Sequence, residues 1–138
     1  MNVKGYDVLI VGGGVMGSSI AYHLLQDGPG ITVAVFEQDP SYEYATTARS
    51  VGGVRQQFST EVNVRIGLYS IRAYERFDEE MAVNGEEAHA EFRRRGYLFL
   101  ADDTNWESLQ RHFHFQRSLG VEVELLSVQD VRRVVPHL

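Results

Sequence analysis

A short apolar run, Val8-Leu9-Ile10-Val11, stops against three glycines, Gly12-Gly13-Gly14, and Gly17 follows three residues later. Few local patterns restrict the fold as much. A brief β-branched stretch that ends on glycine predicts a buried strand from Tyr6 to Val11. Val15 to Gln26 then predicts a helix, with Ile20, Ala21, Leu24 and Leu25 on its inward face. Gly28-Pro29-Gly30 breaks it, and Ile31 to Phe36 forms a second apolar strand. Strand, helix and strand within about 30 residues make a βαβ unit, whose two strands run parallel.

The glycines carry chemistry as well as topology. Gly12, Gly14 and Gly17 match G-x-G-x-x-G, with Val15 and Met16 in the intervening positions. Gly12 allows the tight turn. Gly14 lets a pyrophosphate approach the backbone, and Gly17 lets the helix pack closely on the strand. The helix N-terminus offers N–H groups and partial positive charge to the phosphates. Glu37 follows Gly17 by 20 residues, at the end of the second strand, where a carboxylate accepts hydrogen bonds from ribose hydroxyls. Gln38 stands beside it. An acid at this point disfavours a 2′-phosphate, so the pattern fits FAD or NAD better than NADP. The fingerprint leaves FAD and NAD open.

Asp39-Pro40-Ser41 begins an irregular stretch that extends to about Thr60. Thr60 is placed to cap a long helix to about Met81, ended by Asn84-Gly85. Val64, Leu68 and Ile71 mark its apolar face, widened by Ile66, Ala73 and Phe77. Tyr97 to Ala101 predicts a third strand, and Arg93-Arg94-Arg95 before it a solvated helix end. Asp102-Asp103-Thr104 can cap a helix from Trp106 to Leu119, stopped by Gly120. Val121 to Leu126 predicts a fourth strand, and Ser127 caps a short helix that Pro136 ends.

Composition narrows the function classes. The 138 residues carry a net charge of −6, which argues against general nucleic-acid binding. There is no cysteine, which removes disulfides, cysteine-based zinc sites and a cysteinyl flavin link within these residues. No apolar run approaches the roughly 18 residues of a membrane span or the 7–15 of a signal-peptide core. The expected location is therefore cytoplasmic, with no membrane span. His112 and His114 are two residues apart and point to different helix faces, so no metal site is expected. His23, Trp106, Phe113 and Phe115 suit packing better than catalysis. No nucleophile–base–acid arrangement stands out.

The segment Ser50-Val51-Gly52-Gly53-Val54-Arg55-Gln56-Gln57-Phe58 adds a more specific signal. With the Gly12–Gly17 fingerprint and Glu37, it resembles the FAD-dependent oxidoreductases of the D-amino-acid oxidase family. Within that family the most similar branch contains sarcosine oxidase, dimethylglycine dehydrogenase and the oxidoreductase that assists respiratory complex I assembly. The strand Gly96-Tyr97-Leu98-Phe99-Leu100 and the stretches Glu124-Leu125-Leu126-Ser127 and Pro136-His137-Leu138 extend the likeness over essentially the whole chain.

The resemblance implies an α/β fold with a Rossmann-like FAD-binding domain, incomplete over residues 1–85, followed by the start of an α+β substrate domain over 86–138. It implies FAD as cofactor, with Arg49, Ser50, Val51 and Gly53 along it. Arg55 matches a basic position near the isoalloxazine ring, where a cation assists substrate oxidation. The implied reaction oxidises the C–N bond of a small-molecule amine or amino acid, such as an N-methyl glycine derivative, with hydride transfer to flavin N5. Family members are several times longer, so the expectation is an N-terminal piece, ordered within a homo-oligomer or the remainder of a larger protein. The alternatives are an FAD- or ADP-binding module without turnover and an NAD-dependent dehydrogenase.

Overall fold

The computed structural model describes residues 5–137. It contains β1 (Val8–Val11), α1 (Val15–Asp27), β2 (Val33–Phe36), α2 (Glu61–Glu80), α3 (Trp106–Ser118) and α4 (Val128–Val134). The chain divides into two compact units between Gly53 and Val54. The expected domain boundary at residues 85/86 falls inside the second of these.

The first unit is the βαβ unit that the glycines predict. β1 and β2 pair in parallel, from Val8 opposite Val33 to Val11 opposite Phe36. A polar clamp fixes the start of the ladder. Asp7 Oδ2 accepts from the Thr32 hydroxyl (2.7 Å) and amide (2.8 Å), while the Thr32 carbonyl accepts from Asp7 and Val8 N–H. Both strands begin two residues later than expected. At β2 the reason is local: Ile31 N–H bonds the Gly28 carbonyl, and Thr32 belongs to the clamp. Ile10 is the buried apolar side chain of this unit among the described residues, and Gly17 is buried on α1. Leu9, Val11, Val35 and Phe36 are exposed.

The second unit is helical. Val64 and Gly67 are buried on α2, and Val62 and Ile66 are exposed. Ile66 was expected on the apolar face; two residues from Val64, it lies about 200° around the helix and faces outward. Met81 closes α2 through its N–H to the Phe77 carbonyl. Asn84 (φ 55°) and Gly85 (φ 87°) then form a tight turn closed by reciprocal Val83–Glu86 backbone bonds of 2.9 and 3.0 Å. Both central residues with positive φ is the pattern that favours Asn-Gly.

Two expected strands are absent among the described residues. Tyr97 to Ala101 forms no ladder, and Tyr97, Leu98, Phe99 and Leu100 are exposed. A strand needs a neighbour for its N–H and C=O groups, and no described segment provides one. Val121 to Leu126 also stays unpaired. There the cause is the end of α3. Gly120 (φ 87°) donates to Arg117 O and Val121 donates to Gln116 O, both at 3.0 Å, which is a Schellman cap. Val121 is thus drawn into the core, where it is buried, and its amide is taken by the helix end.

Arg93-Arg94-Arg95 is not a helix end either, and Arg94 is not simply solvated. It pairs with Glu75 of α2 and with Glu122 (2.9 Å), and both acids hold the guanidinium pKa above its ordinary value, Glu75 more than Glu122. Asp102 Oδ1 accepts from the Thr104 and Asn105 amides just before α3, so the expected acidic cap sits three residues upstream of the N-cap, Asn105. On α4 the cap is as expected. Ser127 Oγ accepts from Asp130 N–H, and the Asp130 carboxylate accepts from Ser127 N–H, a reciprocal capping box.

Candidate functional site

Each glycine of the turn between β1 and α1 answers a different requirement. Gly12 has φ +99°, a conformation that a side chain disfavours, and its N–H continues the ladder to Phe36 O at 2.8 Å. A Cβ on Gly17 would lie 1.9 Å from the Gly12 carbonyl oxygen, so helix and strand approach closely only without one. A Cβ on Gly13 would meet the Tyr42 hydroxyl at 2.8 Å and Glu37 Cβ at 3.2 Å. Gly14 differs from all three. It is the N-cap of α1, and nothing lies within 4 Å of the position its Cβ would take. Nothing inside the protein demands a glycine there; a group approaching from outside would.

The end of α1 is open to such a group. Gly14 has no side chain to cap the helix, and the first turn contains no acid. Intrahelical bonding starts with Ser18 N–H to Gly14 O (2.9 Å), so the amides of Val15, Met16 and Gly17 have no acceptor within the helix. Val15 and Met16 carry exposed side chains beside these amides. Ser18 Oγ donates to Gly13 O at 2.7 Å and braces the turn.

Glu37 closes the site from β2. Its Oε2 accepts from Gly13 N–H at 2.6 Å and its Oε1 from Asp39 N–H at 2.9 Å. These backbone donors, Asp39 first and Gly13 second, hold the carboxyl below the usual glutamate range, against small opposing effects of burial and the Asp39 charge. The group is therefore ionised at neutral pH. A carboxylate has about four acceptor positions, and two of those on Glu37 are taken by Gly13 and Asp39 N–H. Gln38 is exposed beside it.

Asp39 organises the segment that follows. Its carboxylate accepts from the Ser41 hydroxyl and amide, and its own pKa is lowered for that reason. Tyr42 N–H returns to Asp39 O, and Tyr42 takes φ +57° with its hydroxyl toward Gly13. The Arg49 guanidinium lies 4.9 Å from the Tyr44 ring centroid. Ser50 Oγ donates to Thr47 O and accepts from Gly52 N–H, while Val51 is fully exposed. Gly53 ends this unit. Arg55 belongs to the second unit, where its guanidinium stacks 4.5 Å from the Phe58 ring centroid and 5.7 Å from that of Phe99.

Gly12, Gly14, Val15, Met16, Gly17 and Glu37 thus form one turn and its flank. The sequence reading passed over Gly13 and Tyr42. A glycine in a variable position of the fingerprint was the available signal for Gly13; Tyr42 had none, because its contact depends on a left-handed residue in an irregular loop. No cluster of described residues could hold a metal ion.

The FAD dependent oxidoreductase family (DAO) matches residues 7–138. Among similar proteins, FAD-dependent oxidoreductase domain-containing protein 1 of Xenopus laevis is 38% identical over 96% of this chain and 27% of its own length. Glycine oxidase of Bacillus licheniformis is 47% identical over 97% of this chain and 35% of its own length. Sarcosine oxidase subunit beta of an Arthrobacter species is 30% identical over 96% and 32%. The chain spans about a quarter to a third of the length of these relatives. No solved structure matches it. No helix among the described residues is long and apolar enough to cross a membrane.

Proposed function

The chain belongs to the DAO family of FAD-dependent oxidoreductases, and from that premise we propose that its first unit holds the ADP half of FAD. The observation that carries this reading is the ionised Glu37, bonded to Gly13 at the mouth of an uncapped helix. The residues present fit the group. The free amides at Val15, Met16 and Gly17 donate to the pyrophosphate, and the space at Gly14 admits it. Glu37 accepts from the ribose diol and repels a 2′-phosphate. Gln38, Arg49, Ser50, Val51 and Gly53 complete the proposed cofactor contacts, on the likeness of that segment to the family.

The proposed activity is oxidation of the C–N bond of an amine or amino acid, which the names of the sarcosine and glycine oxidase relatives support. FAD supplies the hydride acceptor for such a reaction. Arg55 is the proposed catalytic residue, a fixed positive charge that favours electron density developing on a reduced cofactor. The assignment of residues 1–85 to the cofactor domain and 86–138 to the start of a substrate domain belongs to the same proposal.

The test is titration of the purified chain with FAD, NAD and NADP, followed by desalting and an absorbance spectrum. A retained flavin band with no NADP binding is the expected result. Bleaching of that band by sarcosine or glycine under anaerobic conditions supports the enzyme. A retained band that no amine bleaches supports a binding module without turnover. Binding of NAD with no flavin retained overturns the reading.

A further inference from the structure

Arg55, like Arg49, sits on aromatic rings instead of pairing with a carboxylate among the described residues. Arg65, Arg76, Arg94, Arg111 and Arg133 each pair with a carboxylate. Among the described residues no ion pair includes Arg55, whose guanidinium rests on the rings of Phe58 and Phe99. A cation on aromatic faces keeps its full charge for another group. It keeps its place only if the rings and the backbone that carry it are held.

Two elements hold the segment 55–58. Helix α2 presents Gly67, buried against it: a Cβ there would lie 2.5 Å from Arg55 O and 2.9 Å from Gln56 Cα. Helix α3 presents Gln116. Its Nε2 donates to Phe58 O at 3.0 Å across 58 residues of sequence, and the residue is 8% exposed. Gln116 is the buried polar residue among those described. A buried amide costs free energy unless bonded, and a leucine of similar size would fill the space without that demand. What the amide adds is direction, since it fixes the Phe58 carbonyl and with it the ring beneath Arg55. We propose that Gln116 is a positioning residue for Arg55, acting through Phe58, with Gly67 packed against the Arg55 backbone. The functional consequence rests on the proposed role of Arg55, while the geometry rests on the second unit alone.

The test reads Arg55 directly in the full 138-residue chain without cofactor. The Arg55 Nε–Hε resonance is assigned by its disappearance in Arg55→Lys. Stacked on two rings, it is expected upfield of the exposed Arg72 signal. Gln116→Leu should move it at least halfway to the Arg72 position while Arg72 stays unchanged. Gly67→Ala should move the same resonance by displacing the Arg55 backbone, which keeps the test decisive if Gln116→Leu does not fold. An Arg55 resonance that stays in place in a folded Gln116→Leu chain overturns the proposal, as does one that lies at the exposed position from the start. Loss of the flavin role alone has a different signature: the neutral Arg55→Gln would bind flavin with the wild-type spectrum while Gln116→Leu still moves the Arg55 signal.

Discussion

Glu37 shows how much one side chain can do at this site. Two backbone N–H donors hold its carboxyl below the ordinary glutamate range. A carboxyl whose folded pKa is depressed stabilises the fold fully above its unfolded pKa. That stabilisation is lost as the pH falls through the lower, folded value. NMR titration of the Glu37 carboxyl should therefore give a midpoint below the ordinary glutamate range, and the Gly13 amide shift should follow the same curve. Glu37→Gln keeps the shape and loses the charge; it should weaken FAD binding about tenfold, the scale of one charge-assisted hydrogen bond. Unchanged affinity would remove Glu37 from the site. The missing side chain of Gly17 answers to packing. With a Cβ placed 1.9 Å from Gly12 O, Gly17→Ala should cost at least the ~1–3 kcal/mol of core overpacking, read as a lower urea midpoint with the slope unchanged.

At the scale of elements, the ends of helices decide more than their middles. α1 begins at the site without a side-chain cap, which leaves its first amides to a ligand. α3 ends in the Schellman cap that consumes the Val121 amide. Gly120→Ala would force an alanine to φ 87°, at a cost of about 1–2 kcal/mol. Hydrogen exchange at Val121 should quicken in this variant, because the cap and the burial of Val121 depend on one another. α4 is a single capped stretch of seven residues. Removing the capping box with Ser127→Ala should cost about 1 kcal/mol, seen as faster exchange at the Val131 and Val135 amides with the rest of the chain unaffected.

For the molecule as a whole, the buried apolar side chains among the described residues are Ile10, Val64 and Val121. The two-stranded parallel sheet leaves Leu9, Val11, Val35 and Phe36 exposed. Parallel sheets are ordinarily covered on both faces, and open edges invite pairing. The 138-residue chain by itself should therefore self-associate as its concentration rises, with Val11→Lys reducing the effect. Sedimentation that gives one monomeric species across the range would contradict this. The relatives are three to four times longer, and covering these faces is work that additional chain can do.

What could be read from the residue order is what depends on near neighbours. β1, α1, β2 and their parallel pairing follow from apolar period and glycine punctuation, and the helices at 61–80, 106–118 and 128–134 follow from spacing and caps. The fingerprint and its acid were legible for the same reason, as their spacing is set by one βαβ unit. The expected strands at 97–101 and 121–126 failed because an apolar stretch becomes a strand only beside a partner, and partnership is not a local property. The contacts of Tyr42 with Gly13, of Arg94 with Glu75 and Glu122, and of Gln116 with Phe58 were equally hidden. Each joins residues whose separation has no period. Their meeting depends on how helices pack and loops turn, and so it emerges only once the chain has folded.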